Sequence, residues 1–575
     1  MKTYYFKGKI ILDSPLHIGS GEADDYVDSL IVRDVDGKPF IPGTSLCGLM
    51  ASIAKDRLRL EGADKKKVEE EPVLKALFGS ARGERGGRES RLIVLDAKLS
   101  EEAEDRSLIR DRTSVDRKRN SAARDHLFHD EILSKKAQFD YTCEFRKRGK
   151  IGEEKSLSER GLGANREALH LLLDVLELIE KGWARIGGKT GTGHGYFHLE
   201  GLTCFYFERS DPDDVLSFAL DGLERLAEKN PVDLKKLREK LGRKELCIKS
   251  DPPEVLIIRG ILRPVEPIIV KAGYSIETAE YRGSQRLAEE GRSLIPCQEI
   301  EKTIPVDATF CKDEDEIPYL PGSALRGCLR SQVEDILRTL IYRRFKDDDI
   351  CLEAVWDLEN LKNKGRELSK KRDFEAIESQ ACIVSKLFGF TALGGKIRFK
   401  DAYPLDSEKF KQRIKLLDHV AIDRFTGGAA EGKKFNSRPF FPKNPPDDSG
   451  DLQFQLELVD FKLWHLGLVA LLLKDLQLGK IRIGYGRTKG LGKVKLLPET
   501  VEIEGLTCEG DILRELLPES PETIGGFLYI PPEKVKPGKN FWLSKDDRFY
   551  PIVKKAVEAF RKEINSWRPP ERRSQ

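Results

Sequence analysis

Apolar and polar residues alternate along "MKTYYFKGKIILDS" (1–14), the period-two pattern of a strand with one buried face, and "VLIIRGILRPV" (255–265) reads as a second such strand. Each leads into a loop rich in aspartate, then Pro-Gly and a helix. In the second helix Leu325, Leu329, Val333 and Leu337 keep helical spacing, and Ser323 stands at the capping position. "RLIVLDA" (91–97) reads as a further strand. A later helix, "EALHLLLDVLELIEKGWARIGG" (167–188) or "FKLWHLGLVALLLKDLQLGKIRIG" (461–484), runs straight into a glycine-rich loop and a last strand. Strand–helix–strands–helix–strand is the pattern of an α+β, ferredoxin-like, RNA-recognition-type fold.

The pattern occurs twice because the chain repeats itself. "VDSLIVRDVDGKPFIPG" (27–43) aligns without gaps on "VDATFCKDEDEIPYLPG" (306–322), "LFG" at 77–79 recurs at 387–389, and "DA" at 96–97 recurs at 401–402. "VDR" (115–117) returns as "IDR" (422–424), and "RIGGKTGTGHG" (185–195) as "RIGYGRTKGLG" (482–492). Landmarks in the same order imply a tandem duplication. The first unit spans 1–205 and the second 255–500, the latter with extra sequence at 272–300 and a charged helical insertion near 340–380. Between them, 206–254 predicts a connector of two amphipathic helices, opened by Asp211-Pro212 and divided at Asn230-Pro231. Residues 501–575 form a tail with a terminal helix.

A chain of 575 residues, 39% hydrophobic and 34% charged, is expected to be multidomain. It has no apolar run long enough for a membrane span and no signal-peptide layout at its N-terminus, so the expected setting is the cytoplasm. Ten cysteines without a C-x-x-C pair predict free thiols, not a zinc site or a disulfide framework. Net charge is only +3, yet "RDRTSVDRKRNSAAR" (110–124) and "RKRGK" (146–150) are strongly basic, fitting either a polyanion groove or a solvated face. Gly188-Lys189-Thr190 imitates a nucleotide-binding loop, but Trp183 stands where its leading glycine belongs and the second copy lacks Gly-Lys-Thr. ATP binding is therefore not expected. The eight histidines form no constellation in the sequence; His126 and His129 flank the basic stretch.

The Pro-Gly-Ser/Thr helix start, Leu-Phe-Gly, the "RLIVLDA" strand, "VDR/IDR" and the glycine loop together resemble the RAMP superfamily. Within it, "LHIGSGEADDYVDSLIVRD" with "FIPGTSLCGLM" is most similar to the backbone subunits of type III CRISPR effector complexes, and two fused units resemble the tandem subunit of type III-D systems. The resemblance implies a guide (CRISPR) RNA, a target RNA and other effector subunits, a large polymerase-like one included, as partners. It assigns Asp28 and Asp307 to cleavage of guide-paired target RNA with a divalent metal ion, Mg²⁺ foremost, held at the same two aspartates. The second copy approaches Asp307 through a lengthened segment and lacks Ile-Gly-Ser-Gly. Expected RNA contacts are Gly43, Ser45, Arg185, Gly187, Lys189, Gly193 and Gly195 in the first unit. In the second they are Gly322, Ser323, Arg326, Arg482, Gly484, Arg487, Lys489, Gly490 and Gly492. Asp34, Asp36, Asp313 and Asp315 read as turn formers. Asp24 and Asp25 have no aspartates opposite them in the second copy. A non-catalytic RNA-binding backbone and a metal-independent guide-processing ribonuclease are the alternatives.

Overall fold

The structure is a computed structural model that describes residues 2–24, 26–57, 71–79, 89–116, 121–147, 158–241, 254–271, 278–280, 303–347, 374–390, 392–507, 513, 522–524, 527–531 and 550–568. The first unit contains β1 (Lys2–Leu12), β2 (Phe40–Ile41), α1 (Gly43–Arg57), α2 (Pro72–Phe78), β3 (Leu92–Val94), β4 (Ala97–Leu99), β5 (Ser107–Asp116), β6 (Ser121–Leu133), β7 (Gln138–Lys147), α3 (Ser158–Glu180) and β8 (Phe197–Glu208). Its sheet runs β2-β4-β7-β1-β8, with β3 also paired to β7, and these pairings are antiparallel. The sub-order β3-β7-β1-β8, with α1 after the first strand and α3 before the last, is the ferredoxin-like arrangement. Alternation along β1 sends Phe6, Ile10 and Leu12 into the core with Leu46, Met50, Leu172 and Val175 of the two helices.

The opposite face of β1 is covered by the first connector helix, α4 (Pro212–Lys229), while the second, α5 (Leu234–Leu241), packs Leu234, Leu237 and Leu241 on the main core beside α3. Tyr5 stacks on Phe205 and Phe207 on Phe218, each at 5.2 Å, and Leu226 closes this small second core. Asp211 caps α4, its carboxylate accepting from the Asp213 amide at 3.0 Å with Pro212 in the first turn, as the sequence predicts.

The second unit repeats the plan with β9 (Val255–Pro264), β10 (Thr278–Glu280), β11 (Thr303–Pro305), α6 (Gly322–Phe345), α7 (Phe374–Gln380), α8 (Ile383–Phe388), β12 (Ile397–Phe399), α9 (Ser407–Gln412), β13 (Leu417–Ile422), β14 (Ala429–Ser437), β15 (Leu452–Val459), α10 (Leu463–Gln477) and β16 (Val494–Thr507). Its sheet order β12-β15-β9-β16 matches β3-β7-β1-β8 strand for strand, and β18 (Phe527–Ile530) and β17 (Glu522–Ile524) extend it. The terminal helix α11 (Tyr550–Ser566) joins the same core through Ile552, Val553, Ala556, Phe560 and Ile564. It lies so close to α10 that a Cβ on Gly467 would stand 2.1 Å from the Ala556 carbonyl oxygen. The tail helix is thus part of the second unit's core. Of the insertion near 340–380, residues 348–373 lie outside the described residues, as do 272–277 and 281–300 of the extra sequence. The six described cysteines are free thiols, three of them (Cys143, Cys204 and Cys382) buried.

One capping expectation is overturned. Pro321, not Ser323, precedes α6, and no side-chain cap comes from the helix itself. The first amide, Gly322 N–H, donates instead to Asp401 Oδ1 at 2.6 Å, and in the first unit Gly43 N–H donates to Asp96 Oδ1 at 2.7 Å. The repeated "DA" aspartate is therefore a cap delivered from a neighbouring strand. These amides are not open to a phosphate.

Candidate functional site

In both units the aspartate loop is zipped to the second strand of a two-stranded hairpin, β5–β6 in one and β13–β14 in the other. Asp28 N–H donates to the His129 carbonyl at 2.8 Å, and His129 N–H returns a bond to Asp28 Oδ2 at 2.7 Å. Asp307 N–H donates to the Asn436 side-chain oxygen and Asn436 N–H to Asp307 Oδ2, both at 2.8 Å. Two residues on, Glu131 N–H binds the Ser29 carbonyl and Arg438 N–H the Ala308 carbonyl. The sequence repeat has become a geometric repeat. Each unit presents an exposed carboxylate fixed by one backbone amide. Exposed apolar side chains stand on both hairpins: Ile109, Leu127 and Phe128 on the first, Val420 and Ile422 on the second, and Phe425 just beyond β13. Asp34 and Asp313 are turn formers, each accepting two amides from its own loop.

The glycine loops sit directly on the aspartate loops. Gly188 N–H donates to the His17 carbonyl and Tyr485 N–H to the Ile269 carbonyl, each at 2.8 Å. Gly187 has φ +82° and a Cβ there would lie 2.6 Å from the His17 oxygen; Gly484, at φ +90°, faces the Ile269 oxygen at 2.1 Å. These glycines let two backbones touch, a requirement of the fold itself.

The basic side chains divide into two groups. Arg185, expected on a phosphate, is only 5% exposed; it lies 3.6 Å from the Tyr196 ring centroid and pairs with Glu457 of the second unit at 3.2 Å. Burial raises the Glu457 pKa, but Arg185 and Arg398 more than offset it and hold the carboxylate below its usual range. Arg482 is bound to both oxygens of Glu266 and to the Leu491 carbonyl. Arg326 donates to the Phe388 carbonyl, and Lys189 pairs with Asp130. All four are engaged by groups of the protein itself. Lys489, in contrast, is exposed, 4.5 Å from the Phe435 ring centroid and 5.4 Å from that of Tyr485, with the half-exposed Arg487 in the same short 3₁₀ turn (Arg487–Lys489). Of the basic stretch 110–124, two arginines are also paired within the protein. Arg110 is buried against Asp401 at 3.1 Å and Arg112 pairs with Asp130, whereas residues 117–120 and the Arg124 side chain lie outside the described set.

Arg185 with Glu457 and Arg110 with Asp401 belong to a polar joint between the units. Arg106 reaches Glu314 at 2.7 Å and Asp315 at 2.8 Å, Lys136 reaches Asp315 and Lys135 reaches Asp313 at 2.9 Å, and the Tyr196 hydroxyl donates to Glu457 at 2.7 Å. The first glycine loop is wedged into the joint: a Cβ on Gly193 would lie 2.3 Å from the Phe399 oxygen. Its counterpart Gly490 has open space around it. The two loops are alike in sequence, and only one is covered.

Histidines that looked scattered gather at the first unit's corner. His17 Nδ1 binds the Glu131 carbonyl at 2.7 Å and its Nε2 is 3.1 Å from Ser29 Oγ. His129 Nδ1 is 2.5 Å from Asp111 Oδ1. His194, fully buried in the glycine loop, is 3.4 Å from Arg110, and burial followed by Arg110, Arg112 and Lys189 drives its pKa well down, so it is neutral. No spacing rule pointed to these contacts; the Asp28–His129 bond joins residues 101 apart.

Two matching units, each with an aspartate loop, a hairpin and a glycine loop, are what a tandem family member should show. The model of the RAMP superfamily matches residues 9–198 and again 262–495. The chain belongs to the RAMP superfamily. As a RAMP protein it is of CRISPR-associated, RNA-binding type, with two tandem ferredoxin-like units. No curated protein matches the chain. Among the described residues no helix is long and apolar enough to cross a membrane. No three His, Cys, Asp or Glu side chains among them converge on a point that could hold a metal ion. Asp28 and Asp307 each offer a single carboxylate, so a metal ion held by the protein alone does not fit either corner.

Proposed function

We propose that this RAMP protein is a guide-RNA-binding backbone subunit of a type III CRISPR effector complex, supplying two tandem steps as in a fused III-D-like subunit, and that it cuts guide-paired target RNA at two places. The observation that carries the reading is the duplicated corner. An exposed aspartate is fixed by the same backbone amide in both units, beside a hairpin with exposed apolar side chains that can stack on bases. In the second unit Lys489 over Phe435 and Tyr485 adds a cation–aromatic surface suited to a phosphate–base strand. An Mg²⁺ at either aspartate would need RNA phosphates and water for most of its ligands.

The test is a complex reconstituted with guide RNA and its partner subunits and given complementary RNA. Asp28→Ala should erase one cut and Asp307→Ala the other, with target binding retained, because removing a carboxylate beside a polyanion takes away repulsion and no attraction. Both cuts surviving in the double variant would place the chemistry in another subunit.

A further inference from the structure

The two corners are not chemically equal, and one difference is the residue whose amide holds the aspartate, His129 in the first unit and Asn436 in the second. The hairpins pair in the same register: Asp111 faces His129 in β5–β6, and Asp418 faces Asn436 in β13–β14. In the second unit the Asn436 side-chain oxygen accepts from the Asp307 amide at 2.8 Å. In the first unit the corresponding side chain is an imidazole that makes no such bond. Its Nδ1 is 2.5 Å from the Asp111 carboxylate, and the side chain remains 28% exposed. With Nδ1–H donated to Asp111, the lone pair lies on Nε2 at the other side of the ring. The same residue's backbone N–H holds Asp28 Oδ2 at 2.7 Å, so the ring stands one Cα away from the amide that fixes the candidate carboxylate. The next residues down the strand, Leu127 and Phe128, are exposed apolar side chains that can hold bases beside it.

Resting on the reading that the first unit cuts paired RNA, we propose that His129 is a catalytic base of that cut, with Asp111 as its positioning residue, and that the second unit lacks this group. His129 Nε2 takes the proton of the ribose 2′-hydroxyl as the 2′-oxygen forms its bond to phosphorus. The bond from phosphorus to the 5′-oxygen breaks, and the leaving oxygen takes a proton from water. The products are a 2′,3′-cyclic phosphate and a 5′-hydroxyl. The hydroxide that remains recovers the proton from the imidazolium, so nothing is consumed. Asp111, hydrogen-bonded to Nδ1, holds the ring in place while Nε2 carries the proton. Side-chain exposure, a fixed tautomer and the neighbouring carboxylate are the features a general base requires.

His129→Asn gives the first unit the residue of the second while leaving the amide that anchors Asp28. In the reconstituted complex it should slow the cut governed by Asp28 by about 100-fold or more, leave the Asp307 cut at its wild-type rate, and leave guide and target binding unchanged. In His129→Ala, added imidazole should restore the lost cut, which a merely structural role would not allow. A His129→Asn complex that cuts at the Asp28 site at close to the wild-type rate overturns the proposal, as does a loss in His129→Ala that imidazole does not relieve. If wild type makes no cut that depends on Asp28, the functional reading falls and this proposal falls with it, a result distinct from the first two.

Discussion

At the scale of single residues, charge was a poor guide to which basic side chains face solvent. Arg185 and Lys489 occupy the two glycine loops, yet the first is buried against Glu457 and the second is exposed over aromatic rings. Replacing Arg487 and Lys489 by Glu should weaken single-stranded RNA binding and reduce the slope of log K against log salt by roughly 0.7 for each phosphate no longer neutralised. Binding measured over a salt series checks this; an unchanged slope would remove the second loop from the interface. Arg185→Ala should instead leave that slope alone and destabilise the protein by about 2 kcal/mol, because the buried Glu457 loses its nearer arginine and keeps only Arg398 and the Tyr196 hydroxyl. Chemical denaturation separates the two effects.

At the scale of elements, the close approach of α10 and α11 shows the tail helix to be structural. Gly467 is the contact point, and a side chain there would meet the Ala556 carbonyl. Gly467→Val should cost about 1–3 kcal/mol by overpacking and expose residues 550–566 to protease before the rest of the second unit. Equal protection of the tail in wild type and variant would contradict the packing. The same scale explains the Pro-Gly motif. It opens a helix whose first amide is already taken by Asp96 or Asp401, so the glycine allows close approach to a strand and not to RNA.

At the scale of the whole molecule, the joint makes stability depend on pH through His194. Its folded pKa lies well below the ordinary value, because burial and then Arg110, Arg112 and Lys189 disfavour the charged ring. The sign follows: below about pH 6.5 the unfolded chain binds a proton that the folded one refuses. Stability is therefore full above that pH and falls as pH drops toward the folded pKa, by up to about 1.4 kcal/mol per unit. Denaturation midpoints between pH 7 and 5 should fall more steeply for wild type than for His194→Gln. Identical slopes would show that this ring does not report on the joint.

Local pattern was enough to determine the duplication, the ferredoxin-like order of elements, the capped connector helix and the two aspartates that lead each hairpin corner. Those features are written in period, punctuation and repetition, which act over a few residues at a time. Which repeated residue faces solvent was decided only by the tertiary structure. Arg185 meets a carboxylate 272 positions away, and Gly193 is covered by a strand while Gly490 is open. His129 reaches Asp28 across 101 residues. The physical reason is that docking the first unit on the second buries one copy of a surface and leaves its twin exposed. Two equal sequences thereby acquire unequal surroundings.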